Sequence, residues 1–557
     1  MKVAEYVAKY LRNRGVSRFF GFQGGAITPL IDAMVCEKME YIQNYHEQAS
    51  GFAAEAYARI TENFSVVVVT NGPGVTNIVS SIANAYLDST PLVVIAGQVN
   101  VADMKNSRDI RQNGFQEVDS ISIVKAITKY AVTVKDVSEI KYELDKAISI
   151  AQSGRKGSVF IELPLNIIMS DVDENILVGN KEGKGNGIII ESQIKFAVDL
   201  INNSKKPVII AGAGVRLGGA VEELDEFTKK TNIPVVTTLM GGDVVTENNY
   251  GKAGLYGETF ANLAIRHSDL LLVLGSRLAK RQIGKEIQGY APQARIIHVD
   301  IDENELFHVV DADVKICSDV RAFLKILNKK ALKPNTLEWR EKLEKWKMKF
   351  LNNTCVNAQG LDPVVAVKKI SNFTDKETII TADVGQNQLW VAQGWTFKAG
   401  QRLLTSGGLG CMGFSLPASI GAQFADESKN VLAFMGDGGF QMNIQELETI
   451  SLYGLPIKII VFNNNSLGMI QEMQYKYFSN RLVGTKDGYG VPDIEKLSNA
   501  YKIRYVKVKT SDNVDDLQEI LNSKESCLIE IELSQSPTRL LIRYDEDNIY
   551  QKNEDEL

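Results

Sequence analysis

The sequence predicts an α/β protein built from three doubly wound, parallel-sheet domains. Three observations carry this. Short apolar runs of strand length alternate with helix-like segments from end to end, which is the pattern of βαβ units. The chain has 557 residues, too many for one hydrophobic core and close to the usual length of three domains. Two stretches break the alternation: a polar, acidic, Gly-rich segment at 165–190, which reads as a linker, and a charged helical segment at 337–351.

Taken in order, the first unit covers 1–165. It opens as an amphipathic helix at Met1-Lys2-Val3-Ala4 with no signal-peptide pattern. Apolar runs at 41–43, 66–70, 92–96 and 159–163 are its expected strands, a helix is expected over 47–61, and Pro164 closes it. The second unit, 190–330, has expected strands at 207–211, 235–238, 270–274 and 296–300. The third, 361–540, has them at 378–382, 431–435, 457–462 and 527–531, and an acidic tail follows over 541–557.

Composition excludes several classes. The net charge is −6, and no Lys/Arg stripe with interleaved aromatics is present, so nucleic acid is not an expected partner. No apolar stretch is long enough to span a bilayer. The five cysteines are scattered without a Cys-x-x-Cys pair, and the four histidines show no metal spacing. A reduced, cytoplasmic protein is the expectation.

The most chemically telling segment is Gly436-Asp437-Gly438. It follows a continuous apolar run, as a buried parallel strand does. A helical stretch at 444–452 comes next, closed by Gly454-Leu455-Pro456, and then a second apolar run ending in Asn463-Asn464. Two neighbouring parallel strands would carry Asp437 and Asn464 to one sheet edge, where open α/β sheets bind ligands. The flanking glycines are expected to let the backbone turn tightly and approach the ligand. One carboxylate and one amide oxygen, completed by a backbone carbonyl and diphosphate oxygens, make an all-oxygen shell suited to magnesium. Gly-Asp-Gly alone is also a common turn, and Asn463-Asn464 alone a strand end.

Two further segments are ambiguous on local grounds. Glu47 opens an Ala-rich helix after a short strand, where the helix N-terminus favours its charge; a first-turn glutamate is common everywhere. Gly212-Ala213-Gly214 follows a buried strand, where backbone amides can cradle a phosphate, but it lacks the full dinucleotide pattern.

Together with His46-Glu47-Gln48, Gly114-Phe115-Gln116-Glu117, Thr405-Ser406-Gly407-Gly408-Leu409-Gly410, Met412-Gly413-Phe414 and the run from Gly439 to Leu447, these segments span nearly the whole chain in register. The sequence resembles the thiamin diphosphate enzymes, and among them the catalytic subunits of acetohydroxyacid (acetolactate) synthases. The resemblance implies a pyrimidine-binding domain first, an FAD- or nucleotide-binding middle domain, and a diphosphate-binding domain last. It implies decarboxylation of pyruvate and transfer of its two-carbon unit to a second 2-keto acid, with thiamin diphosphate, Mg2+ and FAD as cofactors.

It also assigns residues. Glu47 would share a proton with the cofactor's aminopyrimidine, and Gly24, with Gly25 beside it, and Gln116 would stand near the reaction centre. Asp437, Asn464 and the Ser466 carbonyl would hold the metal. Met412 would wedge the cofactor into a bent shape, and Gly410, Gly436, Gly438, Gly439, Gln386 and Asn387 fall at other cofactor-binding positions. Gly212, Gly214, Thr238, Leu239, Gly257, Gly275, Arg277, Asp300 and Asp319 fall at flavin positions, although some relatives keep this domain without FAD. Phe115, Lys129, Arg281 and Met473 fall at substrate positions, Arg281 as the fork for a keto-acid carboxylate. The resemblance implies a homodimer or homotetramer, with the cofactor between the first domain of one copy and the last domain of another, and admits a small regulatory subunit.

Two departures bear on the acceptor. Lys280 replaces the family's acidic residue before Arg281, and Met473 stands where relatives preferring 2-ketobutyrate carry tryptophan. Three alternatives stay open: transfer of the two-carbon unit to a nucleotide-linked keto sugar, an acyl-CoA lyase or decarboxylase on the same scaffold, and a non-catalytic binding protein.

Overall fold

The computed structural model describes residues 1–105, 109–180, 190–254, 257–284, 287–351 and 361–533. The acidic tail expected at 541–557 lies outside the described residues. Three parallel sheets of six strands each form the frame. The first contains Arg18–Gly21, Glu40–Gln43, Ser65–Val69, Leu92–Gln98, Tyr130–Thr133 and Val159–Pro164 (β1 to β6). The middle one contains Pro207–Ala211, Val235–Thr237, Asn249–Lys252, Leu270–Leu274, Arg295–Asp300 and Val314–Cys317 (β7 to β12). The last contains Thr378–Ala382, Arg402–Thr405, Asn430–Gly436, Lys458–Asn463, Arg504–Val508 and Cys527–Glu532 (β13 to β18).

Strand order divides the sheets into two kinds. The first runs β2-β1-β3-β4-β6-β5 and the last β14-β13-β15-β16-β18-β17, so the two outer domains share one topology. The middle sheet runs β12-β11-β10-β7-β8-β9. That is the doubly wound dinucleotide-binding order, whose crevice opens where the chain reverses, between β7 and β10.

The expected interior strands form for the expected reason: β3, β4, β7, β10 and β13 are buried along their whole length, and helices cover both faces of such sheets. Strands beyond the expected set are mainly edges. β5, β9, β12, β14 and β17 each border a sheet, are 4 or 5 residues long, and lack a continuous apolar run. β1 is hidden by its brevity, four residues with only Phe19 and Phe20 fully apolar at its centre.

Two expectations need correction. The stretch 165–190 is not linker throughout: Ile167, Ile168, Val172 and Leu177 bury themselves in the first domain's core, and Lys2 bridges to Asp171. The helix expected over 444–452 forms as Glu446–Leu452, but a separate short helix, Asp437–Met442, stands before it where a loop is expected.

The outer domains pack against each other within one chain. Helix Glu47–Thr61 lies against helix Ser415–Ala425, and one hydrophobic core runs from Phe20, Phe52 and Val67 to Phe414, Ile420, Val431 and Met435. Contact is backbone-close: a Cβ on Gly421 would lie 1.8 Å from the Ala53 carbonyl oxygen. Gly421→Ala therefore forces the two helices apart, and we expect a loss of about 1–3 kcal/mol or more, read as a lower urea midpoint; an unchanged midpoint would contradict this packing.

Candidate cofactor and metal site

β15 and β16 pair in parallel with Gly436 beside Phe462. Asp437 and Asn464 therefore leave the sheet side by side. Asp437 is 1% exposed. Its Oδ2 accepts the backbone N–H groups of Asn464 (3.1 Å) and Ser466 (3.4 Å), and its Oδ1 accepts the Tyr489 hydroxyl at 2.7 Å. The Asn464 carboxamide places its oxygen 3.1 Å from Asp437 Oδ2 and 2.8 Å from the Ser466 carbonyl oxygen. Three acceptor oxygens thus converge on one point. A hard dication between them removes the repulsion; without one the amide is satisfied by turning round and donating to both. Burial raises the pKa of Asp437 above the usual carboxylate range while the Tyr489 hydroxyl and the N–H donors pull it down.

More polar groups surround this point without partners. Gln386 Nε2 and Asn387 Oδ1 are buried and unpaired among the described residues, at a cost of roughly 1–3 kcal/mol each. Gln386 Oε1 lies 3.4 Å from Asn464 Nδ2. The expected tight turn is corrected: Gly436 has φ −83°, neither Gly438 nor Gly439 has positive φ, and it is close approach that calls for glycine at 438 and 439. A Cβ on Gly438 would lie 2.6 Å from Leu467 Cδ2, 3.2 Å from Met412 Cε and 3.2 Å from the Tyr489 hydroxyl. Met412 therefore flanks the cluster. One on Gly439 would meet the Asp383 carboxyl at 2.9–3.2 Å. Burial pushes Asp383 up to about 7, although Val384, Gly413 and Ser415 all donate N–H groups to it. The segment carrying Met412 turns at Gly410 and Gly413, with φ of 75° and 80°, conformations open to glycine.

Tyr489 is not among the residues the sequence singles out, because it sits far downstream of Asp437. It fixes which carboxylate oxygen faces Asn464. Such outer partners are worth about 10- to 100-fold in metal affinity. Tyr489→Phe is expected to weaken divalent-cation affinity by that factor, measured by cation titration; an unchanged affinity would show that Tyr489 does not orient the carboxylate.

A second cluster forms on the first domain. Glu47 is 6% exposed and begins its helix behind the His46 cap. Its Oε2 accepts Asn77 Nδ2 at 2.9 Å. A Cβ on Gly74 would lie 3.5 Å from Glu47 Oε1 and 3.0 Å from Thr70 Cγ2, and one on Gly24 would lie 2.3 Å from Thr70 Cβ. Gln116 adopts φ 62°, and its carbonyl accepts Asn71 Nδ2 at 3.2 Å while passing 2.6 Å from the Cβ position of Gly72. Glu47, Gly24 and Gln116 therefore gather round the turn Thr70-Asn71-Gly72-Pro73-Gly74. That turn is absent from the expected site, although its Gly-Pro-Gly punctuation after a buried strand is a legible signal. Glu117, likewise unexpected as an organiser, accepts N–H groups from Lys105, Asn113 and Gly114 and so shapes the loop that presents Phe115, which is 85% exposed.

The third feature is a cavity of about 810 Å³ centred on the middle domain, within the size range of cofactor sites. Gly212, Gly214, Thr238, Leu239, Gly257, Gly275, Arg277, Asp300 and Asp319 all line it. It opens at the reversal point between β7 and β10. There Gly212 donates its N–H to Leu274 O at 2.9 Å, and a Cβ on it would lie 2.1 Å from Gly275 O. Burial raises Asp300 to about 6, and Asp319 caps helix Val320–Asn328. Residues of both outer domains complete the wall, among them Asp88, Arg155, Leu389 and Gly407.

Among the residues expected at the substrate position, the structure separates several. Lys129 is turned away from that role: its ammonium donates to the carbonyls of Ile150 and Ser153 at a helix end, a favourable place for a cation. Arg281 lines the middle cavity. Met473 is 48% exposed on helix Gly468–Tyr477, next to the metal cluster's loop. Among the described residues no helix is long and apolar enough to cross a membrane, and no group of three His, Cys, Asp or Glu side chains is placed to hold a metal.

Comparison with known proteins gives a consistent picture. Residues 1–123 match the thiamine pyrophosphate enzyme N-terminal TPP binding domain, 194–327 the central domain, and 383–531 the C-terminal TPP binding domain. The chain is 36% identical over 545 residues to the acetolactate synthase large subunit of Lactococcus lactis, covering 96% of this chain and 92% of the relative. It is 38% identical over 549 residues to a probable acetolactate synthase large subunit of Methanocaldococcus jannaschii, covering 95% and 92%. It is 36% identical over 496 residues to the chloroplastic acetolactate synthase of Arabidopsis thaliana, covering 86% and 72%. The chain belongs to the thiamine pyrophosphate enzymes, in the group of the acetolactate synthase large subunits.

Proposed function

We propose that this protein decarboxylates pyruvate and joins the two-carbon unit to a second 2-keto acid, giving 2-acetolactate or a related acetohydroxy acid. The observation that carries this reading is the convergence of Asp437, Asn464 and Ser466 oxygens on one point beside the unpaired Gln386 Nε2 and Asn387 Oδ1. Such a donor set fits Mg2+ and the diphosphate of thiamin diphosphate. When bound, thiamin diphosphate would supply a carbon acid whose conjugate base can add to the keto carbon, and a cationic ring that can take up the electron pair left by carbon dioxide. Asp437, Asn464 and the Ser466 carbonyl would hold the ion; Gln386 and Asn387 would pair with the diphosphate. Met412 would buttress the cofactor from the Gly438 side, and Gly410, Gly436, Gly438 and Gly439 would let it approach the backbone. Glu47, held by Asn77, would hold and return a proton at the cofactor's pyrimidine ring. Gly24 and Gln116 would close the site above it.

The size and lining of the middle cavity support FAD as its ligand: Gly212, Gly214, Gly275 and Arg277 would receive its phosphates, and Thr238, Leu239, Gly257, Asp300 and Asp319 would hold the rest of it. No net redox step is needed, so the flavin would serve structure. The glutamate and metal clusters would meet between two copies in a homodimer or homotetramer. The exposed apolar side chains Phe115, Leu409 and Met442 support burial by a second copy. A small regulatory subunit is compatible with large-subunit kinship. The free cysteines Cys36, Cys317, Cys411 and Cys527 support a reducing, cytoplasmic setting.

Met473 and Lys280 are both exposed, and these two departures from the family pattern support a bulkier acceptor, such as a nucleotide-linked keto sugar, as the second reading. One assay separates them. Purified protein with thiamin diphosphate, Mg2+ and FAD is fed pyruvate and competing acceptors, and products are identified by mass. Acetolactate from pyruvate alone is expected. Pyruvate consumed only with a keto sugar would favour the second reading, and cofactor binding without pyruvate consumption would overturn both.

A further inference from the structure

A chain of hydrogen bonds, buried at Glu55, Asn84 and Ser406 and half-buried at Asp88 and Gly407, runs from the middle cavity to the Met412 segment, and the roles assigned above do not use it. Asp88 stands on the cavity wall beside Gly407 and Arg277. Its Oδ2 accepts the N–H of Gly407 at 3.0 Å and its Oδ1 that of Gly408 at 2.7 Å. Ser406 Oγ accepts the N–H groups of Gly410 (3.0 Å) and Cys411 (2.8 Å) and donates to Asn84 Oδ1 at 2.5 Å. Asn84 in turn donates to the fully buried Glu55 at 2.7 Å. Arg59 lies 3.6 Å from Glu55 Oε1 and donates to the Thr405 carbonyl at 3.0 Å. Met240, another cavity residue, occupies the place a Cβ on Gly407 would take, its Cγ and Sδ both at 2.5 Å.

The segment 405–411 is thus anchored along one side by first-domain groups, and its cavity-facing residue, Gly407, touches both Asp88 and Met240. Directly after Cys411 the chain delivers Met412 to the metal cluster, with Cε 3.2 Å from the Cβ position of Gly438. A ligand filling the cavity would order Asp88, Met240 and Gly407 and, through them, the whole segment. Thiamin diphosphate would then meet a Met412 already in place and lose less freedom on binding.

We propose that Asp88 is a positioning residue: it sets Met412 through the Ser406–Cys411 segment, and so couples flavin dinucleotide in the middle cavity to thiamin diphosphate at the metal cluster. This rests on the reading of both sites given above. Coupling of this kind is reciprocal, since each ligand must change the other's affinity by the same factor.

The test measures the thiamin diphosphate dissociation constant, at saturating Mg2+, with and without FAD. It also measures the FAD dissociation constant by flavin fluorescence with and without thiamin diphosphate. Wild type, Asp88→Asn and Ser406→Ala are compared. In wild type each cofactor is expected to tighten the other by the same factor, about 5- to 100-fold. Asparagine offers one acceptor where two N–H groups need one each, and alanine removes the acceptor of Gly410 and Cys411. In either variant the factor is expected to fall below about 2-fold, within the scatter of an uncoupled pair. Independent binding of both cofactors to wild type would overturn the positioning role alone, as would full coupling retained in either variant. Failure of wild type to bind one of them would overturn the functional reading of that site and the inference with it.

Discussion

Glu47→Gln is expected to lower kcat by about 100- to 10,000-fold, the usual worth of a positioned acid–base group, while leaving the fold and thiamin diphosphate affinity close to wild type. The carboxylate is almost the same size as the amide, and Asn77, which donates to Glu47 at 2.9 Å, remains available to the amide oxygen. What the amide cannot do is take up and return a proton. The first turn of the helix keeps its His46 cap, whose ring nitrogen accepts the Gln48 N–H at 3.1 Å, so helix Glu47–Thr61 has no reason to fray. Steady-state kinetics with pyruvate, alongside cofactor titration, separates the two quantities. Wild-type turnover by the variant would remove Glu47 from the chemistry. Lost turnover together with lost cofactor binding would instead give Glu47 a binding role.

Asp437→Ala is expected to weaken Mg2+-dependent thiamin diphosphate binding by more than about 100-fold, beyond the effect of an outer partner. The Asn464 and Ser466 oxygens would then face the cofactor's diphosphate with no carboxylate to hold the ion. The buried N–H groups of Asn464 and Ser466, which Asp437 satisfies in wild type, also lose their acceptor, so the alanine variant should be less stable as well. Asp437→Asn separates binding from stability. It keeps an acceptor for those N–H groups and removes a carboxylate whose pKa is raised by burial. A carboxyl with a raised pKa in the folded state costs stability once pH exceeds its unfolded value, so near neutrality the asparagine variant should melt no lower than wild type while still losing the cofactor. Unchanged cofactor titration in either variant would contradict the clamp.

Much of this is legible in the sequence because it rests on local pattern. Interior strands announce themselves by unbroken apolar runs, and the Asp437–Asn464 juxtaposition follows from two such runs lying next to each other in a parallel sheet. Edge strands such as β9 and β17 are not legible, because half of each faces water or loops and its composition resembles a turn. Side-chain partners at long range are illegible for another reason. Nothing near Tyr489 in sequence points to Asp437, and nothing near Asp88 points to Gly407, since only the packing of separate elements creates those contacts. Lys129 misleads for the same reason: the carbonyls that hold it lie in a neighbouring helix's last turn. The glycines at 438 and 439 are necessary, as the sequence suggests for 438, but for a different cause. What they avoid is collision with Leu467, Met412 and Asp383, not a forbidden backbone angle.

A crystal structure of the protein with thiamin diphosphate and Mg2+ decides whether Asp437, Asn464 and Ser466 hold the ion. The expected result is one ion bound by an Asp437 carboxylate oxygen, the Asn464 amide oxygen and the Ser466 carbonyl, with the diphosphate completing its shell and the Asn464 amide turned oxygen-inward. An ion bound without Asp437 and Asn464, or a cofactor bound away from the ends of β15 and β16, would contradict it.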